Sequence, residues 1–110
     1  MTASIPSTPA FPGAFVQLIA YHTDRPEEMA AIVSRWTEAI GAERTARWYV
    51  TAADRDQPGR FVQLVEFPSY EAAMENSSHP ATSDFARALK ELAGDTVVFQ
   101  NLDVVAAAQL

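Results

Sequence analysis

The apolar stretch FVQLIAY, Phe15 to Tyr21, returns 46 residues later as FVQLVEF, Phe61 to Phe67. Both are rich in β-branched and aromatic residues, and both predict strands. Strand parity puts Phe15, Gln17, Ile19 and Tyr21 on one face and Val16, Leu18, Ala20 and His22 on the other. The same division of the repeat gives Phe61, Gln63, Val65 and Phe67 against Val62, Leu64 and Glu66. The face with Gln17 and Gln63 is mixed, suited to a partner sheet or to a pocket with polar spots. Which face meets the helices stays open, because the Val/Leu face also ends in polar residues.

Between the repeats the period changes from two to 3.6. Thr23 or Asp24 is the expected cap of a helix with Pro26 in its first turn and Glu27 and Glu28 near the positive end of its dipole. Met29, Ile32, Val33, Trp36 and Ile40 form one apolar stripe, and Gly41 ends it. Trp36 and Met29 are therefore expected in the core, as are Met74 and Phe85 further on. ERTARWYVTAA predicts a second strand, and DRDQPGR a turn leading into the third. After that strand, Ser69 is the expected cap of SYEAAMEN, about two helical turns interrupted by NSSHP. A further helical segment follows from about Thr82 to Leu92, with Phe85, Leu89 and Leu92 on one face. Asp84 with Arg87, and Arg87 with Glu91, have the spacing of helical ion pairs. Gly94-Asp95 turns the chain into TVVFQNLDVV, a fourth strand.

The order β-α-β-β-α-β predicts an α+β, ferredoxin-like fold with an antiparallel four-stranded sheet. In that plan the two FVQL strands lead two equivalent halves. The helix-ending glycines lie 53 residues apart, so the second half is longer by about seven residues, and NSSHPAT is where the excess falls. An addition to a pseudo-symmetric scaffold is the first place to look for function. Residues 1–14, with Pro6, Pro9 and Pro12, read as a flexible arm or one that drapes over a partner subunit. Residues 15–105 are the single domain, and 106–110 a short tail.

Composition narrows the function classes. A chain of 110 residues fits one domain, and so small a domain gains from oligomerisation. A net charge of −6 without any basic run argues against nucleic acid, whose binding depends on phosphate neutralisation. There is no cysteine, so disulfides, thiolate metal sites and cysteine nucleophiles are excluded. No apolar run approaches the length of a bilayer span, and no secretory leader is read, so a cytoplasmic location is expected. The two histidines, His22 and His79, have no further ligand at metal spacing, and no metal is assigned.

The S-x-E-A-A sequence at Ser69, followed by a broken helix with S-S-H-P, resembles the dimeric α/β barrel superfamily, in particular its antibiotic-biosynthesis-monooxygenase-like domains. The resemblance spans roughly residues 15–105. It implies a homodimer with two sheets packed face to face and a cleft between each sheet and its helices. It also implies relatives that include cofactor-independent oxygenases of aromatic compounds, quinol oxygenases and haem-degrading enzymes. Where such domains often carry a histidine, this chain has Asn76, which the resemblance casts as a group orienting a substrate oxygen.

His79 is the leading candidate catalytic residue, because imidazole exchanges protons near neutral pH and a helix break should open toward the cleft. Its alternative role is to cap the preceding helix. His22, at the end of the first strand, is expected to be structural. Arg47 and Tyr49, on one face of the second strand, can hold an anionic or phenolic ligand or simply form sheet surface. Arg44 and Trp48 lie on the other face. Glu66 is either a base with a raised pKa or a salt-bridged strand end. Tyr21, Trp48 and Glu66 complete the expected ligand-contacting set. Three functions follow: a cofactor-independent monooxygenase acting on aromatic or polyketide-like molecules, a non-catalytic metabolite-binding or structural homodimer, or a haem protein with His79 as axial ligand.

Overall fold

The computed structural model describes residues 14–108 and 110, so the proline-rich arm expected at 1–14 lies almost wholly outside the described residues. Its last residue, Ala14, is buried and accepts a hydrogen bond from the Val104 N–H at 2.9 Å, which makes it an extension of the sheet. The elements run β1 (Phe15–His22), α1 (Pro26–Ile40), β2 (Trp48–Ala53), β3 (Arg60–Phe67), α2 (Tyr70–Ser78), α3 (Pro80–Ala93) and β4 (Val98–Asp103). All neighbouring strands are antiparallel, in the order β2-β3-β1-β4. This is the ferredoxin-like βαββαβ plan.

The two halves share more than the FVQL strands. Gly41 and Gly94 end α1 and α3 with nearly the same backbone, φ 52°, ψ −130° and φ 59°, ψ −134°. Each N–H donates to the carbonyl four residues back, Thr37 and Lys90 respectively, and each glycine opens a short 3₁₀ turn. A positive φ of this kind is strained for any residue with a Cβ, so glycine is required twice at the same structural place.

The mixed face meets the helices. Ile19 and Tyr21 pack with Met29, Val33, Leu89 and Ala93, while Phe15, Val65 and Phe67 pack with Ala46 and Ala73. Among the described residues no helix covers the Val/Leu face: Val16, Leu18, Val62 and Leu64 are only half-buried, and Val98 and Leu102 are exposed. Gln17 and Gln63 therefore point at the helices. The sequence left this choice open because parity divides a strand into two faces without saying which is covered.

Several boundaries differ from expectation. Regular pairing of β2 begins only at Trp48; Thr45 before it is held toward α2, its hydroxyl donating to the Ala72 carbonyl at 2.6 Å. Ser69 caps α2 as expected, accepting from the Ala72 N–H at 3.1 Å, but α2 continues through Asn76 to Ser78 and is interrupted only at His79. Pro80 is the first residue of α3, two residues before the expected start, since proline needs no hydrogen-bonded N–H there. Arg25 occupies the N-cap of α1 without a side-chain cap. Thr23 accepts from the Arg25 N–H at 3.0 Å, and its own N–H donates to the Gly59 carbonyl at 2.9 Å, fastening this loop to the β2–β3 hairpin. The expected pair Asp84–Arg87 forms at 2.9 Å.

Candidate functional site

A cavity of about 430 Å³ opens between the mixed face of the sheet and the helices, a size common for small-molecule sites. Its floor is Gln17, Ile19, Gln63, Val65 and Phe67; Tyr49 and Phe99 stand on the two outer strands. Its roof is Trp36 and Thr37 from α1, Asn76 and Ser77 from the end of α2, and Thr82, Ser83, Phe85 and Ala86 from α3. Residues 44–48 contribute Arg44, Ala46, Arg47 and Trp48. Both tryptophans of the chain line it. The segment NSSHPAT supplies Asn76, Ser77 and Thr82 to the roof and holds the break between α2 and α3.

Trp36 is positioned from both sides. Its Nε1–H donates to Thr82 Oγ1 at 3.0 Å, and its ring meets Phe85 edge-on with centroids 6.3 Å apart. Expected as plain core, Trp36 and Phe85 are instead half-buried cavity wall. Met29 is fully in the core, and Met74 is half-buried against the second cluster.

Asn76 is buried, 5% exposed, and is the most enclosed polar group of the roof. Its Oδ1 accepts from the Thr45 N–H at 3.3 Å. A backbone N–H can only donate, so this bond fixes which end of the amide is oxygen. Nδ2 is left as a donor, and among the described residues no group accepts from it.

His79 lies outside the cavity lining. Its Nδ1 accepts from the Ala81 N–H at 3.0 Å and its Nε2 meets Glu43 Oε1 at 2.8 Å. An accepting Nδ1 carries no proton, so Nε2 carries it and donates to the carboxylate. The ring caps the following helix, α3, rather than the preceding one. Both nitrogens are committed, which leaves no lone pair for a haem iron and no free site for proton exchange in the cleft. The physical reason is the break itself: with α2 ended and Pro80 starting α3, the exposed N–H of Ala81 needs an acceptor, and His79 supplies it.

Arg47 and Glu66 form one unit. Arg47 Nε donates to Glu66 Oε1 at 2.6 Å, and the Arg47 N–H donates to the Glu66 carbonyl at 2.8 Å. Glu66 is 2% exposed and does not line the cavity; it sits on the open face, across from Trp48. Its alternative reading as a salt-bridged strand end describes its position. Arg47 and Tyr49 both reach the cavity, as does Trp48 from the strand edge. Tyr21 does not reach it. Its ring stacks on Phe61 at 5.6 Å in the core, where burial pushes the phenol above its ordinary range. With His22, Arg60 and Thr96 it borders a separate pocket of about 270 Å³. His22 is exposed at that end of β1, where its N–H donates to Thr96 Oγ1 at 3.0 Å.

The structure therefore brings together Asn76, Tyr49, Arg47 and Trp48 of the expected set, and leaves His79, Glu66 and Tyr21 elsewhere. It adds Gln63, Gln17 and Arg44. The two glutamines carried a legible signal, as polar residues inside strands that are otherwise apolar. Arg44 is held by a bond from Nε to the Ala46 carbonyl at 3.0 Å, and nothing in the local sequence announces that. Although the chain is acidic, among the described residues no Asp, Glu, His or Lys lines the cavity, and the charged groups around it are Arg44 and Arg47, the latter paired with Glu66. Among the described residues no three His, Cys, Asp or Glu side chains come together as a metal site, and no helix is long and apolar enough to cross a membrane.

No family model matches the sequence, and no curated protein is similar to it. Solved structures are similar in fold. SnoaB, a cofactor-independent oxygenase from Streptomyces nogalater, superposes with a TM-score of 0.73 at 14% identity, over 86% of this chain and 96% of that one. Rv0793 from Mycobacterium tuberculosis gives 0.70 at 18% identity, over 86% and 98%. A Caulobacter crescentus protein, provisionally assigned as an antibiotic biosynthesis monooxygenase, gives 0.71 at 14% identity, over 88% and 94%. The chain shares the ferredoxin-like fold of these structures.

Proposed function

We propose that this chain binds a planar aromatic or polyketide-like molecule in the 430 Å³ cavity and oxygenates it without a cofactor. The observation that carries the reading is Asn76, a buried amide on an aromatic-walled cavity, with its oxygen fixed by Thr45 and its Nδ2 free to donate. A donor held in place in a water-poor site stabilises a charge that develops on a ligand oxygen far more than water would. The Tyr49 hydroxyl and Arg44 act in the same sense.

The chemistry this supports begins with a carbon acid whose carbonyl oxygen takes up negative charge as a proton leaves. The resulting carbanion reduces O2. Overall, a ring methylene and O2 give a ring carbonyl and water, and all the electrons come from the substrate. Because no carboxylate or imidazole among the described residues lines the cavity, the proton passes to water, and the donors lower the barrier by stabilising the enolate.

The test is oxygen uptake with anthrone as probe, with the ketone product followed by absorbance. Asn76→Ala is expected to lower the rate roughly 100-fold, as loss of one such donor does elsewhere. The absence of a general base in the lining favours one second reading, a non-catalytic binder. Anthrone binding without oxygen uptake beyond the uncatalysed rate would establish that reading and overturn the first.

The fold's open face supports a homodimer. Val16, Leu18, Val50, Val62, Leu64 and Leu102 present an apolar surface that no helix covers, and a second sheet packed on it would remove it from water.

A further inference from the structure

Two threonines line the cavity from the helices, Thr37 of α1 and Thr82 of α3, and their hydroxyls are placed differently. Thr37 sits inside α1 and donates back to the Val33 carbonyl four residues earlier, at 2.9 Å, a common bond for a helical threonine. Thr82 is the third residue of α3, so the carbonyl four residues before it, that of Ser78, belongs to α2. The next carbonyl, that of His79, already takes the Thr82 and Ser83 N–H groups at 2.9 and 3.2 Å. The extended backbone of His79, φ −70° and ψ 138°, thus removes the acceptor that a continuous helix would supply. One lone pair of Thr82 Oγ1 holds the Trp36 Nε1–H at 3.0 Å. A hydroxyl also has one proton to donate, and among the described residues nothing accepts this one.

We infer that Thr82 is a specificity-determining residue of the cavity, its hydroxyl donating to a carbonyl or similar oxygen on the ring system of the ligand. The inference rests on the reading of this cavity as an aromatic-binding site. The bond from Trp36 occupies one side of Oγ1, so the Thr82 proton points away from the indole nitrogen. Accepting that bond also polarises the hydroxyl and makes it a better donor. A ligand lying against the Trp36–Phe85 wall drives water from Thr82. If the ligand carries an oxygen there, the proton exchanges water for that oxygen. An all-carbon analogue of the same shape removes the water and offers nothing in return, and an unpaired polar group is costly. Asn76 stands in the last turn of α2 and Thr82 in the first turn of α3. The break at His79 is therefore what leaves two donors without protein acceptors in one roof.

The experiment compares 9-fluorenone with fluorene, which differ by a carbonyl, in calorimetric titrations. The unmodified protein is expected to bind the ketone more tightly, and Thr82→Ser should keep that preference. Replacing Thr82 by valine also frees the Trp36 N–H, which could take over the ligand oxygen. The decisive comparison is therefore made in Trp36→Phe, where the Thr82 hydroxyl is the remaining donor of the pair. There the preference should persist, and adding Thr82→Val should cut it about fivefold, the worth of one neutral hydrogen bond. Thr82→Ala replaces the valine variant if that one folds poorly. Equal binding of the two probes to the unmodified protein would overturn the inference and leave the aromatic-site reading standing. No further loss on adding Thr82→Val to Trp36→Phe would reduce Thr82 to an anchor of the indole, and would also overturn the inference alone. Failure of both probes to bind any form would overturn the aromatic-site reading, and this inference with it.

Discussion

Leu18 lies directly across from Leu64 in the central pair of strands, and there alone do equivalent residues of the two FVQL strands face one another. From that point the pairing is reciprocal: Phe15 meets Phe67, and Tyr21 meets Phe61. The pseudo-two-fold axis of the fold therefore passes between these leucines, through the middle of the face that carries no helix.

That position makes them a sensitive probe of the proposed dimer. Leu64→Asp is expected to convert a dimer into a monomer in sedimentation equilibrium, because a carboxylate buried between two sheets has no partner. The monomer should keep its far-ultraviolet circular dichroism, since Leu64 touches no helix-side core cluster. A dimer of unchanged affinity in this variant would place the interface elsewhere.

His79 should matter to stability and not to the cavity. His79→Ala removes the side-chain cap of α3, a loss of about 1 kcal/mol, and its hydrogen bond to the largely exposed Glu43 adds little. For a domain of this size the melting temperature should drop by about 5 °C. Binding of 9-fluorenone should stay within about twofold of the unmodified protein. A folded variant that loses binding or oxygen uptake would restore His79 as a functional residue.

The β2–β3 hairpin should be sensitive to acid through Asp54. The Asp56 N–H at 2.9 Å holds its carboxyl below the ordinary value of 3.8, with Arg60 and the Gln57 N–H acting in the same direction. A carboxylate with a depressed pKa in the folded state contributes stability above its unfolded value, and that contribution is lost as pH falls through the folded value. Asp54→Ala should therefore be less stable than the unmodified protein at pH 7, with the gap narrowing once the pH passes below about 4. Denaturant melts at pH 7 and pH 3 measure this, and a gap that stays constant between them would refute the assignment.

Periodicity was enough for the elements and their order. The 3.6-residue stripe from Met29 to Ile40, the alternation in the FVQL strands and the glycines at 41 and 94 are local signals, and each corresponds to an element found. The repeat even located the departure from symmetry at NSSHPAT, because an insertion shows as a change in spacing. What the chain's order could not give was the direction in which side chains from distant segments converge. His79 was a candidate because of its chemistry, but its nitrogens are taken by Ala81 and by Glu43, the latter 36 residues away. Asn76 became the leading polar group because Thr45, 31 residues away, fixes its oxygen. Gln17 and Gln63 are indistinguishable in their strands, yet one faces Asn101 and the other faces no donor. Local propensity is written in neighbouring residues, whereas the satisfaction of a buried polar atom depends on whichever segment packing brings within about 3 Å of it.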